Sequence, residues 1–283
     1  IRKLKIVIDA GNGMAGHTAP AVFQRINAEV TEMFFELDGT FPNHEANPID
    51  EENLADLKQM VKKVRADIGL AFDGDADRCF LVDEKGNAVN PSLLTALIAE
   101  RELTKYPNSS IIYNLISSRA VREVIEEHGG VAIRSRVGHS FIKALMAESG
   151  AVFGGEHSGH FYFADFWRAD SGMLAALHAI AALGASNLKL SELLAPYSRY
   201  FSSGEINSKV KDGAKIIESL KVSYQAEPGV TIDELDGLTV NGDTWWFNVR
   251  ASNTEPLLRL NVEAKSATQM AKLRDHLLAL IRG

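Results

Sequence analysis

The sequence predicts an α/β protein: two successive open α/β units followed by a small α+β unit at the C-terminus. Three observations predict it. From Leu4 to Leu183, short apolar runs alternate with helix-length segments. That order occurs twice, and each half ends a strand in a polar, glycine-bearing loop. Composition then shifts near Ser198–Gly204, after which strand-like segments gather before one last helix. The expected units are residues 1–88, 89–203 and 204–283, a division that suits a chain of 283 residues.

In the first unit, Lys5–Ala10 reads as a buried strand. It runs into Gly11-Asn12-Gly13-Met14-Ala15-Gly16, a literal G-x-G-x-x-G ahead of a helix-like Pro20–Ile26. A second strand, Thr31–Leu37, brings Glu36 and Asp38 to about where a dinucleotide fold keeps its ribose-binding acid. Asp9 opposes that reading, because it puts a charge at the presumed pyrophosphate turn. A tight turn that uses glycine's backbone freedom is the stronger one. Gly39–Pro48 is a loop, and Asp50–Val64 predicts a helix with Leu54, Leu57, Met60, Val61 and Val64 on one face. Ile68–Ala71 is an apolar strand, and Cys79–Asp83 is a strand resuming.

In the second unit, Pro91–Leu103, Arg119–His128, Phe141–Glu148 and the Ala-rich Asp170–Leu183 predict helices. Ser110–Leu115, Val131–Arg136 and Ala151–Phe153 predict strands. In the third, a helix at Gly213–Leu220 precedes strands at Leu238–Val240, Trp245–Arg250 and Leu257–Glu263. A helix at Ser266–Ile281 closes the chain, with Ser266 and Gln269 as a capping box.

Composition narrows the function classes. The chain is 46% hydrophobic and 24% charged, as in ordinary globular proteins. Its net charge of −7 leaves no basic footprint for nucleic acid or an anionic membrane, so anion binding must be local. A lone cysteine, Cys79, excludes an internal disulfide framework and fits a reducing, cytoplasmic setting. No apolar segment is long enough to span a bilayer, and no signal peptide is visible. The chain opens on Ile1 and goes straight into a strand, which suggests a piece of something longer.

Three loops carry chemistry. Asp73, Asp75 and Asp77 alternate behind the Ile68–Ala71 strand. Like charges so close are costly unless a cation shares them. Oxygen-only ligands favour a hard ion, Mg²⁺ first, with Ca²⁺ or Mn²⁺ as alternatives; a solvated acidic turn is the metal-free reading. An EF-hand is excluded because its sixth position, a glycine, is here Arg78. Arg78 stands where it could meet an anionic ligand such as phosphate. The second loop holds Glu156, His157, Ser158 and His160. If it stays extended, Glu156 and Ser158 point the same way, which suits vicinal sugar hydroxyls, and His160 could transfer a proton near neutral pH. The spacing does not fit a helical zinc motif, and a plain polar turn is the alternative. The third loop holds Arg250, Ser252, Asn253 and Thr254, a donor-rich turn suited to phosphate, though also good hairpin chemistry.

These three loops, in this order, resemble those of the α-D-phosphohexomutase superfamily, and within it the bacterial phosphomannomutase/phosphoglucomutase group. The resemblance runs through the whole chain and covers that family's second to fourth domains. It implies Mg²⁺ held by Asp73, Asp75 and Asp77, with Arg78 near the reacting phosphate. It implies sugar hydroxyls read by Glu156 and Ser158, His160 as a proton shuttle, and distal phosphate held by Arg250, Ser252, Asn253 and Thr254. The Val137-Gly138-His139-Ser140 turn also resembles a family ligand loop, which adds His139. The implied activity interconverts hexose 1-phosphate and hexose 6-phosphate, of mannose and/or glucose, with hexose 1,6-bisphosphate as intermediate and activator. The family's phosphoserine loop, of T-A-S-H-N-P type in its first domain, has no counterpart here. The fragment alone is therefore expected to be inactive, with a non-catalytic phosphosugar-binding module as the other reading.

Overall fold

The computed structural model describes residues 1–252 and 256–283, so Asn253 and Thr254 of the third loop lie outside the described residues. Strand β1 (Leu4–Asp9) buries every residue but Lys5, as a central strand covered on both faces should. Helix α1 (Ala15–Phe23) begins inside the glycine turn, earlier than the predicted Pro20–Ile26, and Pro20 lies within it. The early start follows from the left-handed backbone of Gly11 (φ 51°) and Asn12 (φ 58°), which reverses the chain at once. Strand β2 (Ala28–Met33) also ends earlier than the predicted Thr31–Leu37. Beyond it the chain is captured by the turn: the Phe34 carbonyl accepts from Asn12 N–H (2.8 Å) and the Glu36 carbonyl from Asn12 Nδ2 (2.8 Å). Glu36 and Asp38 therefore sit in a loop, not at a strand end.

A single 3₁₀ turn, Glu51–Leu54, is capped by Asp50 and leads into α2 (Ala55–Val64). Leu54, Leu57 and Val61 are buried on the face the spacing predicts. Strands β3 (Ile68–Phe72) and β4 (Cys79–Val82) follow. The sheet order is β2-β1-β3-β4, parallel except for the β3–β4 hairpin.

The plan then repeats. Helix α3 (Pro91–Lys105), capped by Asn90, precedes β5 (Ser110–Asn114), α4 (Arg119–Glu127), β6 (Val131–Ser135), α5 (His139–Ser149) and β7 (Phe153–Gly155). Two strands without a sequence prediction come next, β8 (Phe161–Phe163) and β9 (Ala169–Asp170), before α6 (Gly172–Gly184). The order β6-β5-β7-β8-β9 matches the first sheet strand for strand, with β9 added at the edge.

A short helix α7 (Leu190–Leu194) leads to β10 (Phe201–Lys209), a strand where the sequence suggested a boundary. Helix α8 (Gly213–Gln225), β11 (Thr231–Asp233), β12 (Leu238–Asn241), β13 (Trp245–Ala251), β14 (Leu257–Ala264) and α9 (Ala267–Arg282) complete the chain. This third sheet is antiparallel, in the order β10-β14-β13-β12-β11. Ser266 caps α9 by accepting from Gln269 N–H (3.2 Å). The reciprocal arm of the predicted capping box does not form, because the Gln269 amide pairs with Thr244 (2.8 Å).

One apolar core runs through the first two sheets, joining Ile6 and Ile8 to Leu97, Ile111, Phe153 and Ile180. A separate core, with Leu220, Phe247, Leu260 and Leu277, lies under the third sheet. Each fully buried side chain of this size contributes on the order of 2–3 kcal/mol. Among the described residues, no helix is long and apolar enough to cross a membrane.

Candidate active site

The Asp73–Arg78 loop turns the chain from β3 into β4. Asp73 is buried, and its carboxylate closes the loop by accepting from Arg78 N–H (3.0 Å) and Arg78 Nε (2.6 Å). The turn brings carboxylate oxygens of Asp73, Asp75 and Asp77 within 4.8 Å of one another. Asp77 Oδ1 is buried without a hydrogen-bond partner among the described residues. Burial, with the charges of Asp73, Asp75 and Asp170, raises the Asp77 carboxyl to about 7. An orphaned acceptor in an all-oxygen set fits a hard divalent cation. Arg78 is less open to a ligand than the sequence suggested, since Nη1 also donates to Asn47 Oδ1 (3.1 Å).

The second loop is not extended. Gly159 N–H donates to the Glu156 carbonyl (3.1 Å) and Glu156 N–H to the His160 carbonyl (3.0 Å), which closes a tight turn between β7 and β8. The shared direction expected for Glu156 and Ser158 is therefore lost. Glu156 points inward, where its carboxylate accepts from Gly138 N–H (3.1 Å) and Tyr162 Oη (2.7 Å). Ser158 Oγ instead bonds His160 Nδ1 (2.9 Å). His160 Nε2 lies 3.5 Å from Asp77 Oδ1 and 4.0 Å from Asp170 Oδ2. Burial pulls its imidazole below the ordinary value, against the pull of Glu156 and Asp170. His139 is exposed at the start of α5.

The two loops occupy equivalent places in the two copies of the plan, and they meet. Arg78 and His160 form an isolated antiparallel bridge, and Cys79 N–H donates to the Gly159 carbonyl (3.2 Å).

Across a cavity of about 800 Å³ stands the third sheet. Arg250 is buried on β13 and pairs with Glu205 (2.9 Å); Arg259 on β14 pairs with the other oxygen of Glu205 (3.4 Å). The Nε atoms of both arginines are buried without partners among the described residues. Arg259 Nη2 also approaches Ser252 Oγ (3.5 Å). Asn47, Asn114, His157, Ser158, Glu205 and Arg250 are among the residues that line the cavity. Asp73, Asp75 and Asp77 are not among its lining residues; the lining residues Ser158 and Asn47 connect to their loop through the Ser158–His160 and Asn47–Arg78 hydrogen bonds. His157, whose Nδ1 is buried without a partner among the described residues, is held below the ordinary imidazole value by burial. Sequence reasoning missed Asn47, Asp170, Glu205 and Arg259 as site residues. It quoted His157 in the second loop without assigning it a role.

The glycine turn takes no part as a phosphate cradle. The N–H groups of Gly11, Asn12, Gly13 and Met14 are already bound to Asp9 Oδ1, Phe34 O, Ala10 O and Gly74 O. These four N–H groups are not available to a pyrophosphate, which counts against the dinucleotide reading.

Three profiles of one family match the chain in succession: phosphoglucomutase/phosphomannomutase alpha/beta/alpha domain II over residues 1–86, domain III over 90–200, and the C-terminal domain over 205–280. The chain belongs to the phosphoglucomutase/phosphomannomutase family. It is 41% identical to a phosphomannomutase of Methanocaldococcus jannaschii, over 98% of this chain and 61% of that protein. It is 39% identical to a phosphomannomutase/phosphoglucomutase of Pseudomonas putida, over 97% of this chain and 60% of the relative. The crystal structure of a phosphoglucomutase/phosphomannomutase family protein from Burkholderia thailandensis superimposes with a TM-score of 0.89 at 34% identity, covering 98% of this chain and 60% of that one. This member of the family thus spans about 60% of the length of those relatives. Its three loops fall one in each matched region.

Proposed function

We propose that this chain forms the metal-holding and phosphosugar-binding part of a phosphohexomutase that interconverts hexose 1- and 6-phosphates of mannose and/or glucose. The single observation that carries the reading is the cavity itself. Two arginines, Arg250 buried and Arg259 half-buried, whose Nε atoms have no partner among the described residues, stand on one wall, and the other wall is tied by hydrogen bonds to the loop of a three-carboxylate cluster in which Asp77 Oδ1 likewise has none. Such a pair of charged poles suits a sugar that carries a phosphate at each end.

In this reading, Asp73, Asp75 and Asp77 hold Mg²⁺, which would supply charge neutralisation to the transferring phosphoryl group. Arg78 adds positive charge beside it and keeps Asp73 in place. His160, hydrogen-bonded to Ser158, moves the proton of the attacking sugar hydroxyl. Ser158 meets the sugar, with Glu156 buttressing the turn from within and His139 at the mouth of the Val137–Ser140 loop. Arg250, Ser252, Asn253 and Thr254 hold the distal phosphate. The phosphoryl donor is a serine outside these 283 residues. Its phosphoryl group passes to the free hydroxyl to give hexose 1,6-bisphosphate, and the other phosphate returns to the serine after the bisphosphate turns round. The chain would act in the cytoplasm, with units meeting near residues 88 and 203.

A second reading, binding without chemistry by the chain alone, is favoured by the lack of a T-A-S-H-N-P-like stretch within the sequence. Calorimetric titration with glucose 1,6-bisphosphate, beside a coupled assay with mannose 1-phosphate and Mg²⁺, tests both. Binding without turnover is the expected result. No binding, with or without Mg²⁺, would refute the phosphosugar reading, and turnover would place a phosphoryl carrier within these residues.

A further inference from the structure

The glycine turn touches the carboxylate loop at one point. Gly13 packs on Gly74, the residue between Asp73 and Asp75. A Cβ at Gly13 would lie 2.6 Å from the Gly74 carbonyl oxygen and 2.9 Å from its Cα. Both are backbone atoms, so they cannot swing aside as a side chain would; a substituent must force the turn and the loop apart. Met14 N–H donates to the same carbonyl at 2.9 Å.

The turn is in its own right fixed from behind. Asp9, almost fully buried, accepts from Gly11 N–H (2.9 Å) and faces His44 Nε2 (3.1 Å). Asn12 Oδ1 accepts from Asn43 Nδ2 (2.8 Å). His44 and Asn43 belong to the segment that supplies Asn47 to Arg78, and Ala46 of that segment packs against both Gly11 and Gly74. The carboxylate loop is thus braced by the glycine turn on one side and by residues 43–47 on the other, and the Asp9–His44 pair locks the two braces together.

We infer that Gly13 and His44 are positioning residues for divalent-cation binding at Asp73, Asp75 and Asp77. Gly13 sets how closely the Gly74 backbone can sit, and His44 holds the segment that steadies Arg78. This rests on the metal-binding reading proposed above. Neither residue touches the cation, so their effect is read in affinity.

The test is Mn²⁺ titration of the 283-residue chain, with free Mn²⁺ followed by electron paramagnetic resonance. The variants are Gly13→Ala, His44→Phe and His44→Gln, the last of which can keep an N–H towards Asp9. Thermal melts check that each is folded. Gly13→Ala and His44→Phe are expected to weaken Mn²⁺ binding by about 10-fold or more, and His44→Gln by no more than about twofold, in line with the cost of losing an outer-shell support. Leu277→Ala, in the separate C-terminal core, should lower the melting temperature and leave Mn²⁺ affinity unchanged. If Gly13→Ala does not fold, the two His44 variants carry the test. Wild-type affinity in both Gly13→Ala and His44→Phe would overturn the inference while leaving the metal site intact. A wild-type chain that binds no Mn²⁺ would overturn both.

Discussion

Replacing His44 with glutamine should change how stability depends on pH. Its imidazole is 15% exposed and bonded to the buried Asp9, which raises its pKa from 6.5 to about 9. The main cause is the hydrogen bond to Asp9, opposed by burial and reinforced by the Glu45 carbonyl. Since the folded value lies above the unfolded one, the contribution is fully present below pH 6.5 and is lost as pH rises through about 9. The gap corresponds to about 3 kcal/mol at pH 6, about 2 kcal/mol at pH 7.5 and almost nothing by pH 10. Urea unfolding of wild type and His44→Gln at those three pH values, followed by far-UV circular dichroism, measures the difference between the two curves. That difference should shrink steadily from pH 6 to pH 10. A difference independent of pH, or an NMR titration that finds His44 ionising near 6.5, would refute the assignment of a charged pair.

Four further variants test other parts of the molecule. Arg250→Ala should weaken glucose 1,6-bisphosphate binding by about 30-fold or more, as expected for a buried charged contact, whereas Asp75→Asn should weaken Mg²⁺ binding and leave metal-free bisphosphate binding unchanged; calorimetry separates them. Tyr162→Phe removes the donor to Glu156 Oε2 inside a closed turn and should cost about 1–3 kcal/mol in urea unfolding. Phe247→Ala, a fully buried ring in the C-terminal core, should cost about 3–5 kcal/mol and bring out an early transition reported by Trp245 and Trp246 fluorescence.

What the sequence revealed depended on how local the cause was. β1, β3 and β5 were legible because each holds at least three consecutive apolar residues, and α2 with its preceding turn because Leu54, Leu57 and Val61 keep helical spacing. β8 escaped notice because three aromatic residues directly behind a glycine turn look like loop filling until β7 is there to pair with them. β10 begins Phe-Ser-Ser-Gly-Glu, with a register shift between Ser202 and Glu205, so its pattern is broken where pairing with β14 holds it. The early end of β2 could not be read from its own residues, since Asn12, more than twenty positions away, captures the chain beyond it. At the site, clustered residues such as Asp73, Asp75 and Asp77 announced themselves. Glu205 and Arg259 did not, because alternate charged residues on strands read as a solvated face. Asp9 counted against a nucleotide turn, and its role became clear only with His44, which lies 35 residues on.

The bridge between Arg78 and His160 limits how the cleft can move. The two turns are stitched backbone to backbone, and the sheets behind them share one core, so this side behaves as a fixed plate. The third sheet has its own core and is tied to the plate by polar contacts: Arg134 to Asp233 (2.5 Å), Val137 N–H to Asp236 (3.2 Å), and Arg119 to Glu263 and to the carbonyls of Gly242, Asp243 and Trp245. Such ties exchange readily with water. The molecule is built like a vice with one jaw bolted down: any change in the width of the gap would fall on the arginine-bearing jaw, whose ties are polar, before it disturbed the carboxylate jaw.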